Sequence, residues 1–559
     1  MRPVVSIGTQ DFEKVRKGNA FYVDKTHFIK EWWENQDDVT LITRPRRFGK
    51  TLNMSMLKYF FSSQYRDRGD LFEGLSIWQD PKYHGLQGSW PVISLSFADV
   101  KGTTFEAVRN SIIQKLIKLY SIHSYIKTDT ILQDEDWEYI GSIKKDMTDD
   151  VASIAVNYLS DYMNRYFGKR VLIFLDEYDT PLQEAYMHGY WDQLTAFIRN
   201  LFNATFKTND SLERALLTGI TRVGKESIFS DINNLEVVTT TSEKYAAAFG
   251  FTQGEVAAAL DEFELSENLE KVKYWYNGFC FGNRRDIYNP WSITKYLDSR
   301  KFNTYWANTS TNELVGTLIR QGTPDVKIAV EDLLNDKQLV TTLDEEIIFD
   351  QLDDSSEAVW SLLLASGYLR ADAVFEEGDE PQYHLALTNL EVKKEFQKMI
   401  RRWFKNTSVR YNDFIKALLA DDVDYMNQYM NQITETMFSS FDTGKHPSEK
   451  TEPERFYHGF VLGLIADSGM HYIITSNRES GLGRYDVMME PVNKGDNAYV
   501  FEFKVLNPGR EDTLEDTVKA ALHQIQEKNY DAILLARGIP EDKIRHYGFA
   551  FRGKEVLIG

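Results

Sequence analysis

Cysteine is almost missing from this chain: Cys280 stands alone in 559 residues. An intrachain disulfide and a cysteine-rich zinc site are excluded, and a reducing cytoplasm is the expected compartment. No apolar run reaches the ~18 residues that a membrane-spanning helix needs, so no membrane partner is expected. The opening residues, Met1-Arg2-Pro3-Val4-Val5-Ser6-Ile7, lack the apolar core of a secretory signal. Internal repeats and low-complexity tracts are missing as well. Positive charge is in deficit, with 64 Lys and Arg against 84 Asp and Glu and a net charge of −20. That balance argues against a chain coated along its length in nucleic acid. A local basic channel, or a site where acids hold a metal, remains compatible with it.

What is present is a globular composition, 42% hydrophobic and 26% charged. The length exceeds one hydrophobic core, and about 3–5 domains are expected. The stretch that organises the rest is Val39 to Thr51, V-T-L-I-T-R-P-R-R-F-G-K-T. Val39 to Ile42 reads as a buried strand, and Leu52 to Leu57 opens a helical pattern. Between them lies a tight basic turn ending Phe48-Gly49-Lys50-Thr51. Strand, loop, Gly-Lys-Thr and helix form the context of a phosphate-binding loop. Backbone N–H groups and a helix N-terminus attract phosphate oxygens. Lys50 would bridge the β- and γ-phosphates, and the Thr51 hydroxyl would ligate Mg²⁺. Arg46, Arg47, Phe48, Gly49, Lys50, Thr51 and Asp176 are therefore the nucleotide-binding candidates. Arg44 stands where G-x-x-x-x-G-K-[ST] has its first glycine, and an ordinary basic turn is the competing reading.

Further strands are expected at Trp90 to Phe97, Arg170 to Asp176, Ala215 to Ile220 and Leu235 to Thr240. Helical patterns run from Phe105 to Tyr120 and from Asp149 to Phe167. Strands alternating with helices predict a doubly wound parallel α/β sheet up to about residue 245. Asp176-Glu177 closes a continuous apolar run. An acid there can hold Mg²⁺ through water, and the next can polarise an attacking water, so Asp176 is a metal candidate with Thr51 and Glu177 a catalytic one. Two acids at an exposed strand end are the alternative. Asp179, just before Thr180-Pro181, is expected as a helix cap. Arg222, after the strand that ends near Ile220, can reach a γ-phosphate or serve as a surface salt-bridge residue.

Beyond Thr252-Gln253-Gly254-Glu255, a capping-box pattern, the chain reads as mainly helical to about Asn335. A small hairpin is expected within Leu362 to Leu387, a basic helix from Glu391 to Phe404, another helix from Leu418 to Phe438, and a polar linker from Ser439 to Glu452. Near the C-terminus, Gly483 to Glu490 and Ala498 to Val505 read as alternating strands. Period-two alternation puts Glu502 and Lys504 on one face, where Asp486 of the neighbouring strand can approach. Two carboxylates beside a lysine suit Mg²⁺-dependent phosphodiester hydrolysis: Asp486 and Glu502 hold the metal and Lys504 orients water. Glu454, opening a helix from Arg455 to Ile465, is a further metal candidate. Gln524 and Tyr530 are supporting residues, and His458 is read as structural.

The motifs Tyr22-Val23-Asp24-Lys25-Thr26, Arg44 to Thr51, Leu175 to Asp179, Thr218 to Arg222 and Tyr276-Asn277-Gly278 resemble a bacterial AAA-ATPase-like family of the STAND type. Its R-P-R-R-F-G-K-T loop carries an arginine where Arg44 stands. The D-x(n)-E-x-K pattern of Asp486, Glu502 and Lys504 resembles the PD-(D/E)xK nuclease core. The resemblance implies a P-loop ATPase domain over 1–245 with an ASCE-type core, a winged-helix-like lid over 246–320, a mostly helical linker over 321–440 and a restriction-endonuclease-like α/β domain over 441–559. It implies ATP and Mg²⁺ as cofactors, DNA or RNA as substrate, and an ATP-regulated nuclease as function. The alternative is a nucleotide-dependent signalling or scaffold switch that cuts little; homo-oligomerisation is open.

Overall fold

The computed structural model describes every residue except 1–2, 129–130, 223–227, 230–231, 307–311, 322–323, 335, 344–351, 353–354, 376–380, 406–410, 439–460, 462–464, 466–471, 481–482 and 554. The chain divides into two compact units. One comprises Met1–Val315 and Asp336–Lys393, the other Gly316–Asn335 and Lys394–Gly559.

The first unit is built on five strands: β1 (Val39–Thr43), β2 (Val92–Ser96), β3 (Val171–Asp176), β4 (Leu212–Gly219) and β5 (Leu235–Val238). All pairings are parallel, in the order β2-β3-β4-β1-β5. Every residue of β1 and β3 is buried, which requires cover on both faces and accounts for the unbroken apolar run Val171–Leu175 of β3. β4 lies between β1 and β3, so the strand that feeds the basic turn and the strand that ends in Asp176 each have it as a neighbour. Register sets Thr43 beside Gly219 and Leu175 beside Leu217, so these C-terminal ends form one edge. The helix Lys50–Phe61 leads away from that edge. Its residues Met56, Leu57, Phe60 and Phe61 join one core with Phe28, Trp32, Leu172 and Phe174. The helix Asp149–Phe167 starts on a Thr148 side-chain cap and stops at left-handed Gly168, the start and stop chemistry its sequence carries.

Further along the same unit come β6 (Phe251–Thr252), β7 (Asn277–Phe281) and β8 (Arg284–Tyr288), an antiparallel sheet in the order β6-β8-β7. Helices Gln253–Glu262, Leu269–Tyr276 and Pro290–Ser299 accompany it. This stretch therefore holds more strand than a mainly helical reading allows. Gly278 at φ +125° has no room for a side chain: a Cβ there would stand 2.0 Å from the Thr388 carbonyl oxygen. A second antiparallel sheet, in the order β10-β11-β9, combines β9 (Leu339–Thr341), β10 (Leu369–Phe375) and β11 (Gln382–Leu387). The expected hairpin is thus present, with a third strand added.

The second unit holds a mixed sheet in chain order: β12 (Tyr472–Ser480), β13 (Gly483–Pro491), β14 (Ala498–Val505), β15 (Ile544–Arg552) and β16 (Glu555–Ile558). Only β14 and β15 run parallel, joined through the helix Leu514–Glu527, which packs on both. The single helix expected over Leu418 to Phe438 is two, Tyr411–Leu419 and Val423–Phe438. From the second, the Asn427 and Asn431 amides bond the backbone N–H and C=O of Ile558 and Val556, at 2.7–2.8 Å and 2.7–3.0 Å. The expected polar linker lies outside the described residues, as does the helix from Arg455 to Ile465 except for Val461 and Ile465, which are buried.

Candidate functional site

Chemistry-bearing residues gather at two places, one in each unit. At the first, Gly49 takes φ +85°, a left-handed turn that an L side chain resists, and the helix starts at Lys50. The Lys50 ammonium is buried and donates to the carbonyls of Arg44 (2.7 Å) and Pro45 (2.9 Å). Burial pulls its pKa down to about 8 against the opposing pull of Glu177, Asp179 and Asp176. The Thr51 hydroxyl donates to Asp176 Oδ2 at 2.9 Å and the Thr218 hydroxyl to Asp176 Oδ1 at 2.7 Å. Burial raises the Asp176 carboxyl, so a cation there would be favoured electrostatically. A hydroxyl and a carboxylate converging in this way fit the hard-oxygen preference of Mg²⁺.

Glu177 adopts φ +52°, which ends the extended line of β3. Its Oε2 accepts from the Thr180 hydroxyl at 3.3 Å, and burial raises its pKa, the direction that suits a general base. Asp179 occupies the cap position of the helix Thr180–His188, but its side chain does not cap that helix. The expectation is corrected: Oδ2 accepts the amides of Ile220 (2.9 Å) and Thr221 (3.0 Å), the Thr221 hydroxyl (3.0 Å) and the Gln183 amide (3.0 Å). Two free N–H groups just past the end of β4 are the stronger demand.

The basic residues of the loop divide their roles. Arg46 feels the charges of Asp179 and Glu177 and donates to Gln183 Oε1 at 3.4 Å. Arg47 turns the other way: its guanidinium lies 3.8 Å from the Trp291 ring centroid and donates to the Tyr305 carbonyl at 3.4 Å. Phe48 is 1% exposed, wedged against Phe279 and Phe281 at 4.8 and 5.4 Å between ring centroids. Its ring cannot meet a phosphate, which leaves its backbone as the group facing the loop. Arg44 is wholly buried and donates to the carbonyls of Thr43, Thr239 and Lys244, with its guanidinium 4.5 Å from the Phe281 ring centroid. In place of a glycine, the loop has a strut to the segment that follows β5. Arg222 lines a small cavity of about 30 Å³ with Thr43, Thr239, Thr240 and Ser361, beside the root of the loop. The sequence reading assigned no role to Thr218, whose hydroxyl completes the Asp176 site.

The second place is where β13 and β14 part. Their ladder pairs Met489 with Tyr499, Met488 with Val500 and Val487 with Phe501, and goes no further. Asp486 and Glu502 come next on the two strands. Beyond the last pair the Asp486 carboxylate, in place of a strand carbonyl, accepts the Phe503 amide at 2.8 Å. Glu502 is 3% exposed. Gln524, on the helix Leu514–Glu527, donates to Glu502 Oε1 and to the Tyr530 hydroxyl (3.2 Å) and accepts from Lys504 Nζ at 2.7 Å. Burial raises the Tyr530 hydroxyl, and the charges of Glu502 and Asp486 add to the effect, which puts both carboxylates within its field. Among the described residues, no three His, Cys, Asp or Glu side chains form a metal cluster. Mg²⁺ is commonly held by one or two carboxylates plus water and phosphate oxygens, so Asp486 and Glu502 fit it as a pair. Glu454 and His458 lie outside the described residues.

Comparison with known proteins agrees with this division. Residues 6–229 match the family described as Predicted AAA-ATPase, and residues 452–559 match the PD-(D/E)XK nuclease superfamily. An uncharacterized protein in the vnfD 5′ region of Azotobacter chroococcum mcd 1 is 26% identical over 559 residues, covering 96% of this chain and 95% of that one. A structure of the Aeropyrum pernix ORC2 protein aligns with a TM-score of 0.23 at 10% identity, covering 67% of this chain and 92% of that one. That score is too low to bear on the fold. Among the described residues, no helix is long and apolar enough to cross a membrane.

Proposed function

We propose, from the premise that residues 6–229 belong to the Predicted AAA-ATPase family and residues 452–559 to the PD-(D/E)XK nuclease superfamily, that this chain binds and hydrolyses ATP and thereby regulates a nuclease acting on nucleic-acid phosphodiesters. The division of labour is nucleotide binding over 1–245, a lid over 246–320, a linker over 321–440 and cleavage over 441–559.

At the nucleotide site, Lys50 exchanges the two loop carbonyls for phosphate oxygens. Thr51 and Asp176 would hold a Mg²⁺, which when bound would supply charge neutralisation on the phosphates. Glu177 orients and deprotonates the attacking water, and Arg222 stabilises charge on the γ-phosphate. At the nuclease site, Asp486 and Glu502 would hold a Mg²⁺, which when bound would supply Lewis-acid charge stabilisation for phosphodiester hydrolysis. Lys504, steered by Gln524, positions the water and stabilises the charge that develops.

The observation that best supports cleavage is the Lys504–Gln524–Glu502 bridge beside Asp486. It orders the general acid–base and metal-binding groups in one small site. The test is incubation of the pure protein with plasmid DNA and with RNA, in Mg²⁺ or chelator, with no nucleotide, ATP or ADP. Metal-dependent cleavage that changes with nucleotide supports the proposal; intact substrate in every lane refutes it. The net charge of −20 favours a second reading, a nucleotide-dependent scaffold switch, and that outcome would select it. Glu177→Gln should retain ATP and slow its hydrolysis.

A further inference from the structure

The carbonyl of Arg46, inside the phosphate loop, is held by two donors 243 and 260 residues away: Asn289 Nδ2 at 3.2 Å and the Trp306 indole N–H at 3.0 Å. In a trans peptide the C=O and the following N–H point in opposite directions. Fixing the Arg46 carbonyl toward Trp306 therefore turns the Arg47 amide to the other side of the loop chain. Arg47 at φ +64° and Gly49 at φ +85° give the backbone the left-handed turns that let successive amides face one anion.

What fixes Trp306 is a buried acid. Glu391, 1% exposed, accepts the backbone amides of Tyr305 and Trp306 on one oxygen, and the Ser292 hydroxyl at 2.8 Å on the other. The Tyr305 carbonyl in turn takes the Trp291 indole N–H at 3.2 Å and Arg47 at 3.4 Å. Asn289 caps the helix Pro290–Ser299 through the amides of Trp291 and Ser292, so both donors to Arg46 belong to one bonded cluster. Charge reinforces it: burial lowers the Arg47 pKa, and Glu391 is the acid that opposes this.

We infer that Glu391 is a positioning residue for nucleotide binding: through Tyr305 and Trp306 it sets the indole that turns the Arg46–Arg47 peptide toward the phosphates. The inference rests on the nucleotide reading above. It assigns to a residue outside the loop, its lining and the acid-bearing strand a share of ATP affinity that acts through backbone orientation alone.

The test compares the full-length protein with Glu391→Gln and Trp306→Phe. The first keeps shape and removes charge; the second keeps the ring and removes the donor. The probes are a fluorescent ATP analogue, steady-state ATP hydrolysis, and hydrogen exchange with and without ATP. Both variants should bind the analogue about tenfold or more weakly, as when a group that orients a ligand contact is lost. KM should rise while kcat changes little, because the water and its base are untouched. In the parent, ATP should slow amide exchange over 289–306, and that protection should weaken in both variants. Parent-like KM and parent-like ATP protection in the variants would overturn the inference. If Glu391→Gln fails to fold, Trp306→Phe alone decides. A parent protein that binds no ATP at all would instead sink the nucleotide reading, so the two failures are distinguishable.

Discussion

Asp486 Oδ2 accepts the backbone amide of Phe503 at 2.8 Å, and Phe503 is the residue between Glu502 and Lys504. One carboxylate therefore spans the fork between β13 and β14 and, in the proposed nuclease, would also hold the metal. The two duties separate by mutation. Asp486→Asn retains an oxygen for the Phe503 amide and should cost less than ~1 kcal/mol in stability, yet weaken Mg²⁺ binding. Asp486→Ala strands the amide and should cost about 1–3 kcal/mol as well. Denaturant unfolding and Mg²⁺ titration calorimetry on the two variants check this; equal stabilities would show that the amide contact is dispensable.

Lys504 and Glu502 meet on Gln524, and removal of the outer lysine and of the central glutamine should have different signatures. Lys504→Ala should leave metal affinity within about twofold and cut cleavage by ~10² or more, the range for loss of a general acid–base group. Gln524→Ala should lower cleavage by about 10–100-fold through disorder of both neighbours. Single-turnover cleavage rates beside metal titrations measure both.

Lys50 gives a pH dependence with a definite sign. Burial lowers its pKa to about 8, and phosphate would draw it back up. Below pH 8 the lysine is already charged and binding needs no proton. As pH rises through about 8, ATP binding must take up a proton, and affinity should fall by up to tenfold per pH unit. Calorimetry in buffers of different ionisation heat reads that uptake directly, and Lys50→Ala should abolish it along with tight binding. Stability without nucleotide should show the opposite trend. Above the folded value of about 8 and below the ordinary 10.5 the unfolded chain holds the extra proton, so the Lys50 contribution to stability improves as pH rises.

Asp179 satisfies four donors at the exit of β4. Asp179→Ala leaves two buried amides without that acceptor, and a loss of about 2–4 kcal/mol in unfolding free energy is expected. A variant as stable as the parent would contradict this structural role for Asp179.

Residues whose role is set by local pattern were legible in the sequence. β3 announces itself as an unbroken apolar run from Val171 to Leu175, and the helix Asp149–Phe167 follows its periodic pattern. The sheet β6-β8-β7 was hidden because β6 is two residues long and β7 opens on Asn277-Gly278, a turn signal. Phe48 was read as lining the phosphates because it sits in the loop motif; burial against Phe279 and Phe281 comes from a hairpin more than 200 residues on, which no periodicity reports. Thr218, Asn289, Trp306 and Glu391 share that property. Each acts through one to three hydrogen bonds to residues distant in sequence, and a lone polar side chain carries no pattern of its own. The nuclease-like site was more legible, since Asp486, Glu502 and Lys504 lie on adjacent strands, where alternation alone decides the face.

The asparagines that face β16 have a consequence for the chain before and beside its folded state. An edge strand normally presents alternating N–H and C=O groups to any extended peptide that drifts past. Here Asn427 and Asn431, one helical turn apart, fill those positions at Ile558 and Val556 with side-chain amides that imitate a neighbouring strand. The helix cannot propagate the sheet further, so this border is sealed against fibril-like growth. Leucine at both positions would keep the helix and its bulk while reopening the border, leaving the last strand able to pair with a second copy of the chain.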